Sequence, residues 1–246
     1  MNNKFLKILG VLSIALTTTT TNLHAKEHTM INKKASYIEM KAAKNQTDDF
    51  AKFLTGAAPL VKETEPGTEL WFALQGENDE NKLTIFDIFS DENARNAHFA
   101  GAVAGALNKN ADKLVASGWD NGVVANINNS SVLSTKAPVN LYKATTATYI
   151  KLKAAPNQGD ALAQLLTAAG SIVSDTEPKT LYWVALRIDE NNFAIFDIFA
   201  DSSGRDAHFA GKVANLLKEQ SSTLVEGGWN DGVVANVNNY KILAIK

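Results

Sequence analysis

A strand-like segment, IFDIF, followed by a helical pattern that ends in HFAG, occurs twice in the chain, at residues 85–101 and 195–211. In each copy the strand is apolar on both faces, and such a strand is buried on both sides in a folded protein. Because the helices of the same unit can cover only one of these faces, the other face needs a second layer. We expect the sheet of the second copy to supply that layer.

The repetition extends over most of the chain. Residues 35–136 form repeat 1 and residues 147–246 form repeat 2, and residues 137–146 link them. The offset between matching residues falls from 112 to 110 at a turn near residues 76–82 that is rich in Gly, Asn, Asp and Glu. Hairpin loops tolerate such changes in length, so both repeats are expected to have the same fold.

Apolar periodicity and turn residues predict the order β-α-β-β-α-β in each repeat, which is the ferredoxin-like split unit of an α+β fold. Two such units in tandem, with their sheets face to face, would form a barrel-like core within one chain. For repeat 1 we predict a strand at residues 36–41, a helix capped at Thr47 and a hairpin at residues 69–75 and 82–89. A second helix is predicted from an Asp91 cap to about Val115, with a break near residues 108–110. The last strand is predicted at residues 123–127, with residues 132–133 as a candidate continuation.

Residues 1–25 have the pattern of a secretory signal peptide. Lys4 and Lys7 precede an apolar run that is too short to span a bilayer comfortably, and the sequence LHA ends at Ala25. We therefore expect cleavage after Ala25 and a periplasmic or secreted protein with no stable membrane insertion. An uncleaved anchor is one alternative, and translation from Met30, which would leave a cytosolic protein, is another.

Composition excludes several classes of function. The chain has no cysteine, which excludes disulfides, thiolate metal sites and cysteine nucleophiles. A formal net charge of −2 argues against a nucleic-acid partner. Phosphate-binding loops, nucleophile elbows and dinucleotide fingerprints do not occur in the sequence. We therefore expect a small-molecule ligand or substrate and no cofactor.

A single carboxylate inside each apolar strand is the first candidate for chemistry. Burying an unpaired carboxylate costs several kcal/mol or raises its pKa by units, so a partner on the following helix is expected. An Asp–His pair can orient an imidazole as a general base for a phenolic or enolic proton; a purely structural carboxylate is the alternative. The predicted catalytic residues are Asp87, His98, Asp197 and His208, and Arg95 and Arg205 are predicted to bind substrate.

Aromatic and amide residues near the last strand are further candidates for substrate binding. Trp119 and Trp229 lie at turns where they can cover a pocket, and Asn126 and Asn236 can donate hydrogen bonds to a substrate oxygen. Core packing and capping of strand edges are the alternatives. One His and one Asp per repeat fall short of a typical ligand set, so no metal site is predicted.

Each repeat is expected to hold its own pocket, between its sheet and its second helix. The two pockets are expected to differ, because Phe72 and Leu70 of repeat 1 are replaced by Val184 and Tyr182 in repeat 2.

The sequence TEPG at residues 64–67, the strand IFDIF, the Asp91 cap and the helix that carries His98 together resemble the antibiotic biosynthesis monooxygenase family. The resemblance covers most of each repeat. It implies a dimeric α+β barrel, a fold in which two chains each supply one ferredoxin-like unit. In this chain the two units are fused, so the resemblance implies a pseudo-dimer within one chain.

Members of this family oxidise quinols or polyketide-like aromatics with dioxygen and no cofactor, degrade haem, or isomerise small compounds. Phe89 and Phe199 stand where the family often has tryptophan, and the second helices lack the later histidine of the haem-degrading members, which disfavours haem turnover. We therefore expect an exported, cofactor-independent monooxygenase that acts on a small aromatic or quinol-like compound. A non-catalytic periplasmic binding module for a small apolar ligand is the alternative, and an interaction protein without a ligand is the third candidate.

Overall fold

The computed structural model describes residues 32–246. The predicted signal peptide and its cleavage site lie outside the described residues. Over the part of the chain that is described, no helix is both long enough and apolar enough to cross a membrane.

Both repeats follow the predicted element order, with the second helix divided in two. Repeat 1 consists of β1 (Lys34–Lys41), α1 (Thr47–Thr64), β2 (Thr68–Gly76), β3 (Lys82–Phe89), α2 (Glu92–Phe99), α3 (Ala102–Leu114), α4 (Gly118–Gly122) and β4 (Ile127–Lys136). Repeat 2 consists of β5 (Thr146–Lys153), α5 (Gly159–Thr176), β6 (Thr180–Arg187), β7 (Asn192–Phe199), α6 (Ser202–Phe209), α7 (Lys212–Leu224), a π-helical turn (Gly228–Val233) and β8 (Val237–Ile245).

The helix termini agree with the sequence prediction in part. Asp91 caps α2 as predicted, because its carboxylate accepts a hydrogen bond from the backbone N–H of Ala94 at 2.8 Å. The predicted break near residues 108–110 is wrong: the helix breaks at Gly101, which has an extended backbone and is the N-cap of α3. Residue Thr47 begins α1, but Gln46 is its N-cap and no side chain caps that helix.

The last strand of repeat 1 begins later than its valines suggest. Val124–Asn126 is a 3-10 turn, and β4 starts at Ile127. β-Branched residues favour strands only where the surrounding packing allows it, and here they precede the strand.

The strands form a closed antiparallel barrel in the order β1-β3-β2-β8-β5-β7-β6-β4. Each repeat contributes four adjacent strands, and its last strand lies beside its own first strand. Both seams join the repeats, because β2 pairs with β8 and β4 pairs with β6. The predicted α+β fold, with two ferredoxin-like units paired inside one chain, is confirmed.

Aromatic side chains from both repeats fill the barrel interior. Tyr37 stacks on Tyr149 with 3.8 Å between ring centroids, and Phe86 stacks on Phe196 at the same separation. Each such pair contributes about 1 kcal/mol beyond the burial of its apolar area. The interior is therefore one core that requires both repeats.

The residues that were expected to line unequal pockets belong to this interior. Phe72, Val184 and Tyr182 are buried in the shared core, and Leu70 packs against it. Successive side chains of a strand point to opposite faces, so these positions point away from the helices. The prediction that they form pocket walls is wrong.

The helices cover the outside of the barrel and form a second core in each repeat. On β3, Leu83 and Ile85 pack under the helices, whereas Phe86 and Ile88 face the interior. The same alternation places Asp87 on the helix side of the sheet. The candidate site therefore lies in this outer layer.

Candidate functional site

Asp87 and Asp197 lie at equivalent places on β3 and β7 and are fully buried. Each is the cross-strand neighbour of a buried tryptophan, Trp71 or Trp183. Neither carboxylate accepts a hydrogen bond within the described part of the chain. Burial raises the pKa of each aspartate from 3.8 to about 7, a shift that the nearby histidine reduces and the neighbouring glutamate increases. Each site therefore has a carboxyl group that titrates near neutral pH.

The structure brings a histidine to each aspartate. The Nε2 atom of His98 lies 3.8 Å from Oδ2 of Asp87, and the Nε2 atom of His208 lies 3.6 Å from Oδ2 of Asp197. Both distances are too long for a hydrogen bond, yet short enough for strong electrostatic attraction in a buried site. The geometry agrees with the expected Asp–His juxtaposition in both repeats.

A glutamate that is not among the predicted site residues completes each site. Oε2 of Glu65 lies 2.5 Å from Nδ1 of His98. Glu177 forms the equivalent hydrogen bond with His208 in repeat 2. Both glutamates follow directly after a long helix, where the proline that comes next disfavours a further helical turn. The triplet Thr-Glu-Pro, present at the same place in both repeats, was the available sequence signal.

Each imidazole is thus held between two carboxylates. Burial alone would lower the pKa of His98, but Asp87 and the hydrogen bond to Glu65 outweigh it and raise the pKa above its ordinary value. The pKa of His208 is raised for the same reasons, by Asp197 and Glu177. Since both ring nitrogens face carboxylates, neither is directed at a ligand, and the proton-accepting group that can meet a ligand is the glutamate.

A glycine makes room for that glutamate. A Cβ atom at position 101 would lie 2.8 Å from Oε1 of Glu65, and one at position 211 would lie 2.7 Å from Oε1 of Glu177. Both Oε1 atoms are buried without a hydrogen-bond partner among the described residues. A buried acceptor without a partner is uncommon and costs roughly 1–3 kcal/mol, so each Oε1 atom is an unused hydrogen-bond acceptor in its site.

A pocket opens beside each of these groups. The repeat 1 pocket has a volume of about 270 Å³ and the repeat 2 pocket one of about 410 Å³. Small-molecule sites span roughly 300–1,000 Å³, so the repeat 2 pocket falls within this range and the repeat 1 pocket lies just below it. Repeat 1 lines its pocket with Thr64, Glu65, Pro66, Gly67, Thr68, Ala94, Ala97, His98, Gly101 and Ala102. Repeat 2 lines its pocket with Thr176, Glu177, Pro178, Lys179, Thr180, Ala207, His208, Gly211 and Lys212.

A lysine from the opposite repeat also reaches each site. The ammonium group of Lys246, which follows β8, donates to the backbone carbonyl of Glu65 at 2.7 Å. Lys136, at the end of β4, donates in the same way to the carbonyl of Glu177 at 2.6 Å. Burial lowers the pKa of both lysines. Each glutamate is therefore anchored across a barrel seam, a contact that no local sequence pattern reveals.

The arginines predicted to bind substrate have other partners. Arg95 forms an ion pair with Glu92 one helical turn away. Arg205 pairs with Glu77 of the opposite repeat at 2.8 Å. Neither side chain is among the described residues that line the repeat 1 or the repeat 2 pocket.

The structure also leaves the predicted Trp and Asn residues away from the pockets. Trp119 and Trp229 pack against the outer core of their repeats. Asn126 and Asn236 each donate to a backbone carbonyl of the preceding turn at 3.0 Å, namely those of Gly122 and Gly232. Their contacts match the alternative of packing and capping. Among residues 32–246, no cluster of three or more metal-ligating side chains is arranged to hold a metal ion.

No family model matches the sequence, and no curated protein matches it. Solved structures do match it over most of its length. A protein from Fusobacterium nucleatum, provisionally named a monooxygenase, aligns with 87% of this chain and 94% of its own, with a TM-score of 0.71 and 14% identity. A protein from Lactobacillus acidophilus with the same provisional name aligns with 87% and 95%, with a TM-score of 0.70 and 12% identity. An anthrone oxidase-like protein aligns with 88% and 93%, with a TM-score of 0.56 and 10% identity.

These similarities concern the fold. The chain has the dimeric α+β barrel fold that the resemblance to the antibiotic biosynthesis monooxygenase family implied. Both ferredoxin-like units belong to one chain, so the barrel is a pseudo-dimer.

Proposed function

We propose that the protein is a cofactor-independent monooxygenase that acts on a small aromatic or quinol-like compound. One observation carries the proposal: both repeats place a Glu–His–Asp arrangement beside a pocket, and the second glutamate oxygen is buried without a hydrogen-bond partner among residues 32–246. The fold similarity to proteins provisionally named monooxygenases supports the same assignment.

The glutamate is the proton acceptor in this proposal. Oε1 of Glu65 takes the proton of an acidic O–H or C–H group, while His98 holds Oε2 of the same carboxylate. When Asp87 is ionised, the imidazolium of His98 lies between two negative charges, and the arrangement can accept one more proton. Because the pKa of Asp87 is about 7, proton abstraction should become faster as pH rises through neutrality.

Dioxygen is the proposed oxidant, and the substrate supplies all the electrons. Loss of the proton leaves an electron-rich phenolate or carbanion, which reduces dioxygen directly. For an activated methylene group, one oxygen atom forms the new carbonyl and the other leaves as water with both methylene hydrogens. The balance R₂CH₂ + O₂ → R₂C=O + H₂O needs no further reductant.

The test is oxygen uptake with a panel of quinols and anthrone-like aromatics. The double variant Glu65→Gln/Glu177→Gln should lose at least about 100-fold in kcat, the usual size of a general-base effect. Glu63→Gln changes an exposed residue of the same helix and serves as the control that keeps full activity. Equal activity of the Glu65→Gln/Glu177→Gln variant and the wild type would refute the proposal.

A non-catalytic binding module is the second candidate, and one observation favours it. His98 and Asp87 are 4% and 0% exposed, so the pocket offers a ligand little of these two side chains. In that case native mass spectrometry should show a retained small molecule, and no member of the panel should cause oxygen uptake.

Export of the protein is part of the proposal and rests on residues 1–25. N-terminal sequencing of the protein from a periplasmic or culture fraction should begin at Lys26. A cytosolic product that begins at Met30 would contradict export.

A further inference from the structure

The rims of the two pockets differ in charge. Position 67 of repeat 1 is glycine, and its counterpart in repeat 2 is Lys179. Position 102 is alanine, and its counterpart is Lys212. Both lysines line the repeat 2 pocket, whereas the matching residues of the repeat 1 pocket are small and neutral.

The two lysines are available to a ligand. Within residues 32–246, neither ammonium group forms an ion pair with a carboxylate within 4 Å. Asp201 is the carboxylate whose pKa Lys179 helps to lower, and its Oδ1 atom accepts hydrogen bonds from Ser203 and Gly204. The one acidic residue that lines the pocket, Glu177, is bonded to His208. The rim therefore carries two lysines that form no ion pair within residues 32–246.

The residue that packs against position 67 in repeat 1 or position 179 in repeat 2 also differs between the repeats. A Cβ atom at Gly67 would lie 2.6 Å from the Cβ of Ala94, so repeat 1 has no room for a side chain there. Repeat 2 has Gly204 in place of that alanine, which leaves space beside Lys179. From repeat 1 to repeat 2, the residue becomes larger at one position (Gly67 to Lys179) and smaller at the other (Ala94 to Gly204). Such opposite changes in size are expected when one substitution depends on the other.

We propose that the repeat 2 pocket binds a small aromatic compound that carries a carboxylate, and that the repeat 1 pocket binds a smaller neutral one. The two lysines at the rim attract the carboxylate, and the difference in volume between about 410 Å³ and about 270 Å³ provides room for it. The contact of a ligand hydroxyl group with Glu177 rests on the proposed function, whereas the preference of the pocket for an anionic ligand does not.

The test compares 4-hydroxybenzoate with 4-hydroxybenzyl alcohol, a neutral compound of similar size, by calorimetry on the full chain at low salt. Wild type should bind the anion at one site. Lys179→Gly/Lys212→Ala should weaken binding of the anion about tenfold, because the variant loses the attraction between the lysines and the carboxylate. The affinity for the neutral compound should stay within about twofold of the wild-type value. Added salt should reduce the anion affinity of wild type more than that of the variant.

Two further variants make the test specific. Lys62→Ala/Lys109→Ala removes the same charge from exposed sites outside the pockets and should leave anion binding unchanged. Gly67→Lys/Ala94→Gly/Ala102→Lys copies the lysine rim into repeat 1, and its folded form should gain a second anion site. Absence of anion binding in wild type, or an equal loss in the Lys62→Ala/Lys109→Ala control, would overturn the inference. Anion binding without any oxygen uptake would instead contradict the proposed function alone.

Discussion

Repeat 1 and repeat 2 hold Glu, His and Asp in the same contacts, with His–Asp distances of 3.8 and 3.6 Å, but their pocket rims differ in charge and size. The shared part is fixed by buried strands, by glycines that abut the glutamates, and by lysines that cross the seams. The rim is exposed and carries no such constraint. Residues that are tied to the barrel therefore stay alike in the two repeats, and residues that only face the ligand are free to diverge.

Separating the repeats should have the largest effect. Residues 35–136 alone would expose the aromatic interior face of the sheet, an apolar patch too large for a stable monomer. Analytical ultracentrifugation should show a dimer or aggregates. A self-dimer would carry two identical neutral rims and should bind no carboxylate-bearing ligand. A well-folded monomer would contradict the shared-core account of the barrel.

The pH dependence of stability tests the part that the repeats share. The folded protein keeps the protons of Asp87 and Asp197 up to about pH 7, while an unfolded chain releases them near 3.8. The pKa values of His98 and His208 are also raised in the folded protein, so they change stability with pH in the same direction. Folding therefore binds protons, and stability should fall as pH rises from about 5 to 8, with a decrease of several °C in Tm.

The control for this pH dependence is the double variant Asp87→Asn/Asp197→Asn, in which the curve of Tm against pH should be flatter. If wild type and this variant show parallel curves, the buried carboxyl groups do not titrate in this range.

Removing one lysine that crosses a seam should change the site of the opposite repeat only. Lys136 lowers the pKa of His208, and Lys246 lowers that of His98. NMR titration of Lys136→Met should show a higher pKa for His208 and no change for His98, and Lys246→Met should give the reverse. Each variant should also lose about 1–3 kcal/mol of stability with the charged hydrogen bond. A shift in both histidines for either variant would contradict the crossed assignment.

The glycines beside the glutamates test the position of Oε1. In Gly101→Ala or Gly211→Ala the new Cβ would lie within 2.8 Å of Oε1 of the neighbouring glutamate and within 2.9 Å of the backbone carbonyl oxygen of the histidine, so both must shift, at a cost of about 1–3 kcal/mol. Proton abstraction in the altered repeat should nevertheless fall by about tenfold or more, because catalysis depends on position. Gly105→Ala, in the same helix with no neighbour within 4 Å, is the control and should be neutral or stabilising. Unchanged activity in both site variants would show that the position of Oε1 does not matter.

The sequence predicted the barrel because its periodicity is local and occurs twice. The alternation in IFDIF indicates which residues face the helices, and it also places Asp87 under the helix that carries His98. A capped helix after a short connection then brings the two side chains together. These inferences need only strand and helix geometry.

The missed residues depend on contacts between distant elements. Glu65 ends one helix and bonds to a histidine on another, 33 positions later in the chain. Lys246 reaches the carbonyl of the same residue from the opposite repeat. Arg205, which was predicted to bind substrate, instead forms an ion pair with Glu77 of the opposite repeat. Pairings of this kind follow from how the repeats dock, which the local pattern of either repeat does not contain.

The central claim is that the glutamate at each pocket wall accepts the ligand proton, and the direct measurement is the absorbance of a bound nitrophenol without oxygen. Exclusion of oxygen stops the reaction at deprotonation, and the phenolate band reports it. Wild type and Glu63→Gln should bind the probe as phenolate below the pKa of the free phenol, and Glu65→Gln/Glu177→Gln should bind it without that band. A phenolate band of equal size in Glu65→Gln/Glu177→Gln would contradict the claim.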